Sequence, residues 1–166
     1  MTLAPDDIVQ GCYKYLLTKA DIVASVGSQD SIPFIFNEHL ATTIAGKSTT
    51  AIVVSGANGW AGPISGSSAE FPRLRIDVYS DPPRDGLGNV TLPVEARTQA
   101  YATYQVLNRY MHRLDSKPVY FGTILTFRCS RLGEPAWIQN PKEDKVGKLT
   151  AYYGVECTTA WTSSPD

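Results

Sequence analysis

The chain has 166 residues, 15 of them Lys or Arg and 16 Asp or Glu, for a formal net charge of −1. That length suits one domain (1–166) with its own hydrophobic core. The charge balance excludes the bulk attraction that draws strongly basic chains to nucleic acid or anionic membranes.

The opening "MTLAPDDIVQG" has acids where a secretory signal needs basic residues and then an apolar run. No apolar stretch approaches the ~20 residues that span a bilayer, so the expectation is a soluble chain made in a cytoplasm. Residues 6–26 carry Ile8, Cys12, Tyr15, Leu16, Ile22, Val23 and Val26 at helical spacing. Asp6 is a suitable N-cap, Gly27 a suitable stop, and Lys19–Asp21 a place to kink or divide the helix. "IPFIFNEHL" reads as a short strand or a docked loop, and "TTIAGKSTT" as a surface connection. "AIVVS" (51–55) is a β-branched run with the look of a central strand. The Gly/Ser-rich segment 56–70 reads as a long loop. "RLRIDVYS" (73–80) alternates, with Leu74, Ile76 and Val78 on one face, as a strand buried on one side does.

"DPPRDGLGNVTLP" is turn chemistry throughout. Ala100, Tyr104, Leu107, Met111 and Leu114 then form one apolar stripe on a helix predicted over 94–114, with Gln105, Asn108, Arg109 and His112 off the stripe toward solvent. Two strands follow. In "VYFGTILTFRCS", strict alternation puts Val119, Phe121, Leu125, Phe127 and Cys129 on one face. In "LTAYYGVECTTAW" it does so for Leu149, Ala151, Tyr153, Val155, Cys157 and Trp161. The segment 131–147 between them is too long for a hairpin turn. The order predicts an α+β fold: a four-stranded, mainly antiparallel sheet with two helices packed on one face.

Gly46-Lys47-Ser48 matches the end of a phosphate-binding loop. Such a loop needs a helix after it, whose N-terminus faces the anion. Here "TTAIVVS" follows, which favours a strand, and the first glycine of the pattern is Ala41. No nucleotide or other cofactor is therefore expected, although a small nucleotide-binding enzyme is the reading these three residues would support. Cys12, Cys129 and Cys157 are odd in number with no C-x-x-C spacing, and read as buried free thiols rather than a disulfide or metal set. His39 and His112 have no second ligand at metal spacing. No G-x-S-x-G elbow is present. The expectation is no catalytic residue and no metal.

Apolar residues inside loops carry more information. Trp60 and Ile64 in the Gly/Ser-rich segment, and Trp137 and Ile138 in 131–147, either fold back onto the domain or serve as a subunit or partner interface. The off-core face of the last strand, with Thr150, Tyr152, Thr158 and Ala160 but only Glu156 charged, is also suited to packing against a neighbour.

Several stretches together resemble the tail terminator proteins of long-tailed (siphovirus-type) bacteriophages, of the kind found in phages of actinobacteria. These are "YLLTKADIVASVG", "AIVVSGANG", "RLRIDVYS", "EARTQAYATYQVLNRYMHRLD", "FGTILTFRCSRLGEP" and "AYYGVECTTAW", which cover most of the chain; residues 28–50 are longer and less regular than in the family. The resemblance implies a structural virion protein, not an enzyme, with no cofactor. It implies a hexameric ring of identical subunits that caps the head-proximal end of the tail tube, stops its polymerisation and joins the tail to the head connector. The implied partners are further copies of itself, the tail tube protein and the connector or stopper proteins. DNA would pass the lumen without sequence-specific binding, and no membrane would be involved. The location is then the neck of the virion, after assembly in the host cytoplasm. A neighbouring neck component, such as a head-closure or stopper protein, has a comparable layout.

Overall fold

The computed structural model describes residues 5–41, 44–57, 69–70, 72–113, 117–139 and 146–158. The first helical stretch is divided, as the Lys19–Asp21 region foreshadows, into α1 (Pro5–Leu17) and α2 (Ala20–Ser25). Proline suits a first helical position because its missing N–H would have no partner there, so α1 begins at Pro5 rather than after Asp6. The break follows from Thr18, whose hydroxyl donates to the Tyr15 carbonyl at 2.7 Å and competes for the helix's own acceptor. Gly27 leaves the helix by donating its N–H to Thr50 O at 2.9 Å.

A small hairpin follows, β1 (Ser28–Gln29) with β2 (Ile32–Pro33), and then β3 (Ile35–Asn37). The main sheet is completed by β4 (Thr50–Gly56), β5 (Ala69–Glu70), β6 (Arg73–Ser80), β7 (Val119–Phe121), β8 (Ile124–Arg131), β9 (Ala136–Gln139) and β10 (Gly147–Thr158), with α3 (Pro93–Met111) between β6 and β7. The expected four-stranded sheet with two helices is thus overturned. The structure is mostly sheet, with eight strands in one mixed layer in the order β3-β4-β6-β10-β8-β7, and β5 and β9 also on β10. Among the described residues only β3 and β4 run parallel.

Strand β10 explains most of the difference. At twelve residues it is about 40 Å long, too long for a single neighbour on each edge. One edge takes β6 and then β5, and the other takes β9 and then β8. The segment 131–147, expected to link the two last strands, therefore zips partly onto β10 as β9, with Leu132 N–H donating to Tyr152 O at 2.7 Å in between.

The alternation expected through residues 119–129 also fails for a definable reason. Gly122 and Thr123 form a tight turn, with Gly122 at φ +63°, so Phe121 faces Ile124 across a hairpin rather than lying on one strand with it. A bulge between Thr126 and Arg128 then shifts the pairing again opposite Glu156 and Cys157. The two shifts cancel. Phe121 and Cys129 are buried as expected, and so are Ile124 and Thr126, whereas Leu125, expected inward, is half-buried; the side chain of Phe127 lies outside the described set.

Strands β6 and β10 show the expected inner faces: Leu74, Ile76, Val78, Leu149, Ala151, Tyr153, Val155 and Cys157 are buried, while Trp161 lies outside the described residues. In α3 the stripe Ala100, Tyr104, Leu107 and Met111 is buried too, and Leu114 lies outside the described residues. The helices cover this one face. α3 packs on β6 and β10, whereas α1 touches β3 and β4 near one end of the strand order and β7 at the other. For one helix to reach both ends, the sheet must curl around it. α1 comes close to β7 at Gly11, where an added Cβ would run into the backbone carbonyl of Phe121. A smaller cluster of Phe34, Ile44, Ala51 and Val146 lies on the opposite face, with Phe36, Leu40 and Tyr79 against it.

Candidate interaction surfaces

The Gly46-Lys47-Ser48 loop connects Ile44, which is buried, to β4, so a strand follows it rather than a helix. Its Ser48 N–H donates to Asp81 Oδ2 at 2.7 Å. Asp81 is buried and held by Arg84, at 2.8 Å to Oδ1 and 3.2 Å to Oδ2. A carboxylate from the same chain thus sits where a phosphate loop would present an amide to its ligand. Lys47 Nζ donates to Gln29 Oε1 at 3.1 Å and lies 4.9 Å from the Phe34 ring centroid. This loop ties the second cluster to the end of β6.

His39 is exposed beside Glu38, and His112 caps the end of α3, where its Nδ1 accepts the Arg131 N–H at 3.1 Å. Among the described residues no group of three His, Cys, Asp or Glu side chains is placed to hold a metal ion. The three cysteines are buried, and none of them is joined in a disulfide. Burial pushes the Cys12 thiol well above its ordinary range, with the nearby Cys129 thiol adding to the effect. Burial likewise pushes Cys129 up to about 12, against the pull of Arg113.

A polar network runs from the core to the surface at the middle of α3. Tyr153, fully buried, donates its hydroxyl to Asn108 Oδ1 at 2.9 Å, and Tyr104 donates to the same oxygen at 3.3 Å. Arg131 Nη1 in turn donates to Tyr104 Oη at 3.3 Å, and its Nη2 to Glu134 at 2.8 Å. Desolvation drives the Tyr153 hydroxyl strongly upward, so it stays a donor. Asn108, expected toward solvent, is instead half-buried and organises this chain. Beyond it lies an open groove of about 670 Å³ between α3 and the 131–135 segment.

The sheet face away from the helices holds a different set. Asp77 is 1% exposed, although the sequence places it on the polar side of β6. It accepts from the Thr150 hydroxyl at 2.7 Å and lies 3.2 Å from Arg75 Nε, an ion pair not aligned as a hydrogen bond. Cross-strand neighbours Val53 and Thr150 enclose it, so β6 is buried on both sides near its middle rather than on one. Toward β9 and β8 this face becomes apolar and open, with Ile138 49%, Leu132 42% and Tyr152 44% exposed. Such side chains supply contact area, and tyrosine adds a hydrogen-bonding tip.

The loop residues singled out from sequence are therefore divided. Trp137 is half-buried against the main core, and an added Cβ on Gly147 would strike its ring. Ile138, next in the strand, points the other way and is exposed. Trp60 and Ile64 lie outside the described residues. Further exposed apolar residues escaped the sequence reading, among them Ile32 at 66%, Leu87 at 88%, Leu92 at 53% and Tyr120 at 62%. Leu87 had a signal, since it is an aliphatic residue between two glycines inside a run of turn formers.

No family model matches the chain, and no curated protein matches it. A solved chain from the virion of a native gene transfer agent particle matches in structure, with a TM-score of 0.63 and 14% identity, over 95% of this chain and 100% of that one. At that identity the likeness is one of fold.

Proposed function

We propose that this chain is a structural protein of a virion and acts as a tail terminator. Six copies close into a ring on the head-proximal end of the tail tube, halt its growth and offer the opposite surface to the head connector. No reaction is part of this role. The observation that carries the reading is the whole-chain match to a virion subunit, which spans 95% of one chain and all of the other without a missing lobe. The open apolar stretch formed by Leu132, Ile138 and Tyr152 supports it, because a subunit of a ring needs surface to bury against its neighbours.

The test is direct. Light scattering and electron micrographs of the isolated protein are expected to show closed rings, and added tail tubes to be capped at one end. A strictly monomeric protein that ignores tubes would overturn the reading. Binding to purified connectors, with none to tubes, would instead assign it to a head-closure or stopper role, the alternative that the shared neck layout supports.

A further inference from the structure

The loop after β6 is built like a docking knob. Arg84 and Val90 bridge its base. Asp85 caps it from within, its Oδ1 accepting the N–H groups of Leu87 at 2.9 Å and Asn89 at 2.8 Å, and its Oδ2 the Asn89 side chain at 3.2 Å. Backbone bonds Asp85 N to Asn89 O and Gly88 N to Asp85 O, both within 3.0 Å, close the turn. Arg84 joins it to Gly88 O at 3.0 Å and to the buried Asp81. All this bonding holds a loop whose tip is Leu87, 88% exposed. A lone exposed leucine is ordinary. One held on a rigid, pre-bonded support loses little freedom on binding, which is the condition for an anchor residue.

The same chain carries a matching receptor. A groove of about 280 Å³ is lined by Gln29, Asp30, Ile32, Phe34, Phe36 and Ala41. That volume is just under the ~300 Å³ at which small-ligand sites begin, and it has room for an aliphatic side chain with part of the loop that carries it. Its apolar wall comes from Ile32, Phe34 and Phe36, and Lys47 stands beside it over the Phe34 ring. The knob carries the Asp85 carboxylate two residues from Leu87, opposite in charge to Lys47 and like in charge to Asp30 of the lining, so the seating that fits turns Asp85 to the Lys47 side. We propose that Leu87 of one copy seats in this groove of the next, with Asp85 toward Lys47. Knob and groove are different patches, so the contact is head-to-tail, and it closes a ring when the rotation allows. This inference rests on the ring reading above and names the contact that would build it.

The experiment compares wild type with Leu87→Asp by light scattering across a dilution series, and cross-links Leu87→Cys chains mixed with Ile32→Cys chains under oxidising conditions. Because Leu87 is exposed, Leu87→Asp should fold normally, as its circular dichroism and melt will show. Its self-association is expected to weaken roughly ten- to hundredfold, the worth of one buried leucine. The mixed cysteine chains should form a disulfide-linked pair that neither variant forms alone; the native cysteines are buried and stay out. Leu87→Asp rings that assemble at the wild-type concentration, or Leu87→Cys chains linking to one another, would overturn the knob contact while leaving the ring in place. Wild type that stays monomeric throughout would overturn the ring reading itself.

Discussion

Changing Gly11 to alanine should lower stability, against the usual direction for a glycine inside a helix. In an exposed helix interior that change gains about 1 kcal/mol, since glycine gives up more backbone freedom on folding. At Gly11 the new methyl meets the carbonyl carbon and oxygen of Phe121, and these belong to the backbone of β7, paired in its hairpin with β8. A backbone held in a ladder cannot swing aside as a side-chain tip does. Gly122 lies on the other side of the contact at φ +63°, its own Cβ position within 3.4 Å of the Gly11 Cα, so the hairpin turn cannot retreat without losing its conformation. Overpacking of this kind costs about 1–3 kcal/mol, sometimes more. Set against the propensity gain, a net loss of roughly 2 kcal/mol near the upper end of that range is expected. For a domain of this size that is a fall in Tm of roughly 4–8 °C. Urea unfolding at constant m-value reads it directly. Gly86→Ala, where nothing stands within 4 Å of the added Cβ, serves as the control and should change the midpoint little. If Gly11→Ala raised the urea midpoint, α1 would not press on β7, and the account of the curled sheet would fail.

Trp137→Ala should destabilise the monomer by about 2 kcal/mol, half the cost of truncating a fully buried tryptophan, whereas Ile138→Ser should leave the melting temperature within a degree or so. Equal effects on the two melts would contradict their opposite placement in β9. Asp77→Ala removes the acceptor of a buried hydroxyl and the partner of Arg75, for an expected loss of about 1–3 kcal/mol by urea titration; an unchanged midpoint would refute its structural role. Alkaline pH should weaken the fold. Cys129 holds its proton up to about 12 when folded and Cys12 is shifted the same way, whereas an unfolded cysteine releases its proton near about 8.5. Their contribution is complete below about pH 8.5 and is lost as pH rises toward 12, so urea midpoints should fall across that window. A flat profile from pH 8 to 11 would argue against two buried thiols. At the acid end, Asp85 is shifted down mainly by the Asn89 backbone N–H and side chain, so the 84–90 loop should hold above the ordinary carboxylate range and loosen as pH falls through the lowered value. Amide exchange at Leu87 and Asn89 tracks that change.

Local pattern alone settled the two long amphipathic helices, the position of β6 and the inward face of β10. It also settled the strand after Gly46-Lys47-Ser48, and it marked Lys19–Asp21 as a weak point without deciding between a kink and a division. In each case the signal lies within a few residues: an apolar period of 3.6 or 2, or a β-branched run where a phosphate site needs a helix. What the sequence could not decide were pairings and parity. The turn at Gly122 and the bulge before Arg128 each move a strand by one residue, and each is fixed by what the facing strand offers. The same holds for β9, four residues of mixed character that become a strand because β10 has an unfilled edge beside them. Asp77 looked like a solvent residue because alternation says which face a side chain takes, not whether that face is covered. Leu87 looked like part of a turn, and only the tertiary structure shows the hydrogen bonds that hold it out. Periodicity is a property of neighbours along the chain. Burial and edge pairing are properties of neighbours across it, brought together by a sheet that curls around α1, and that is where the interaction surfaces of this protein are made.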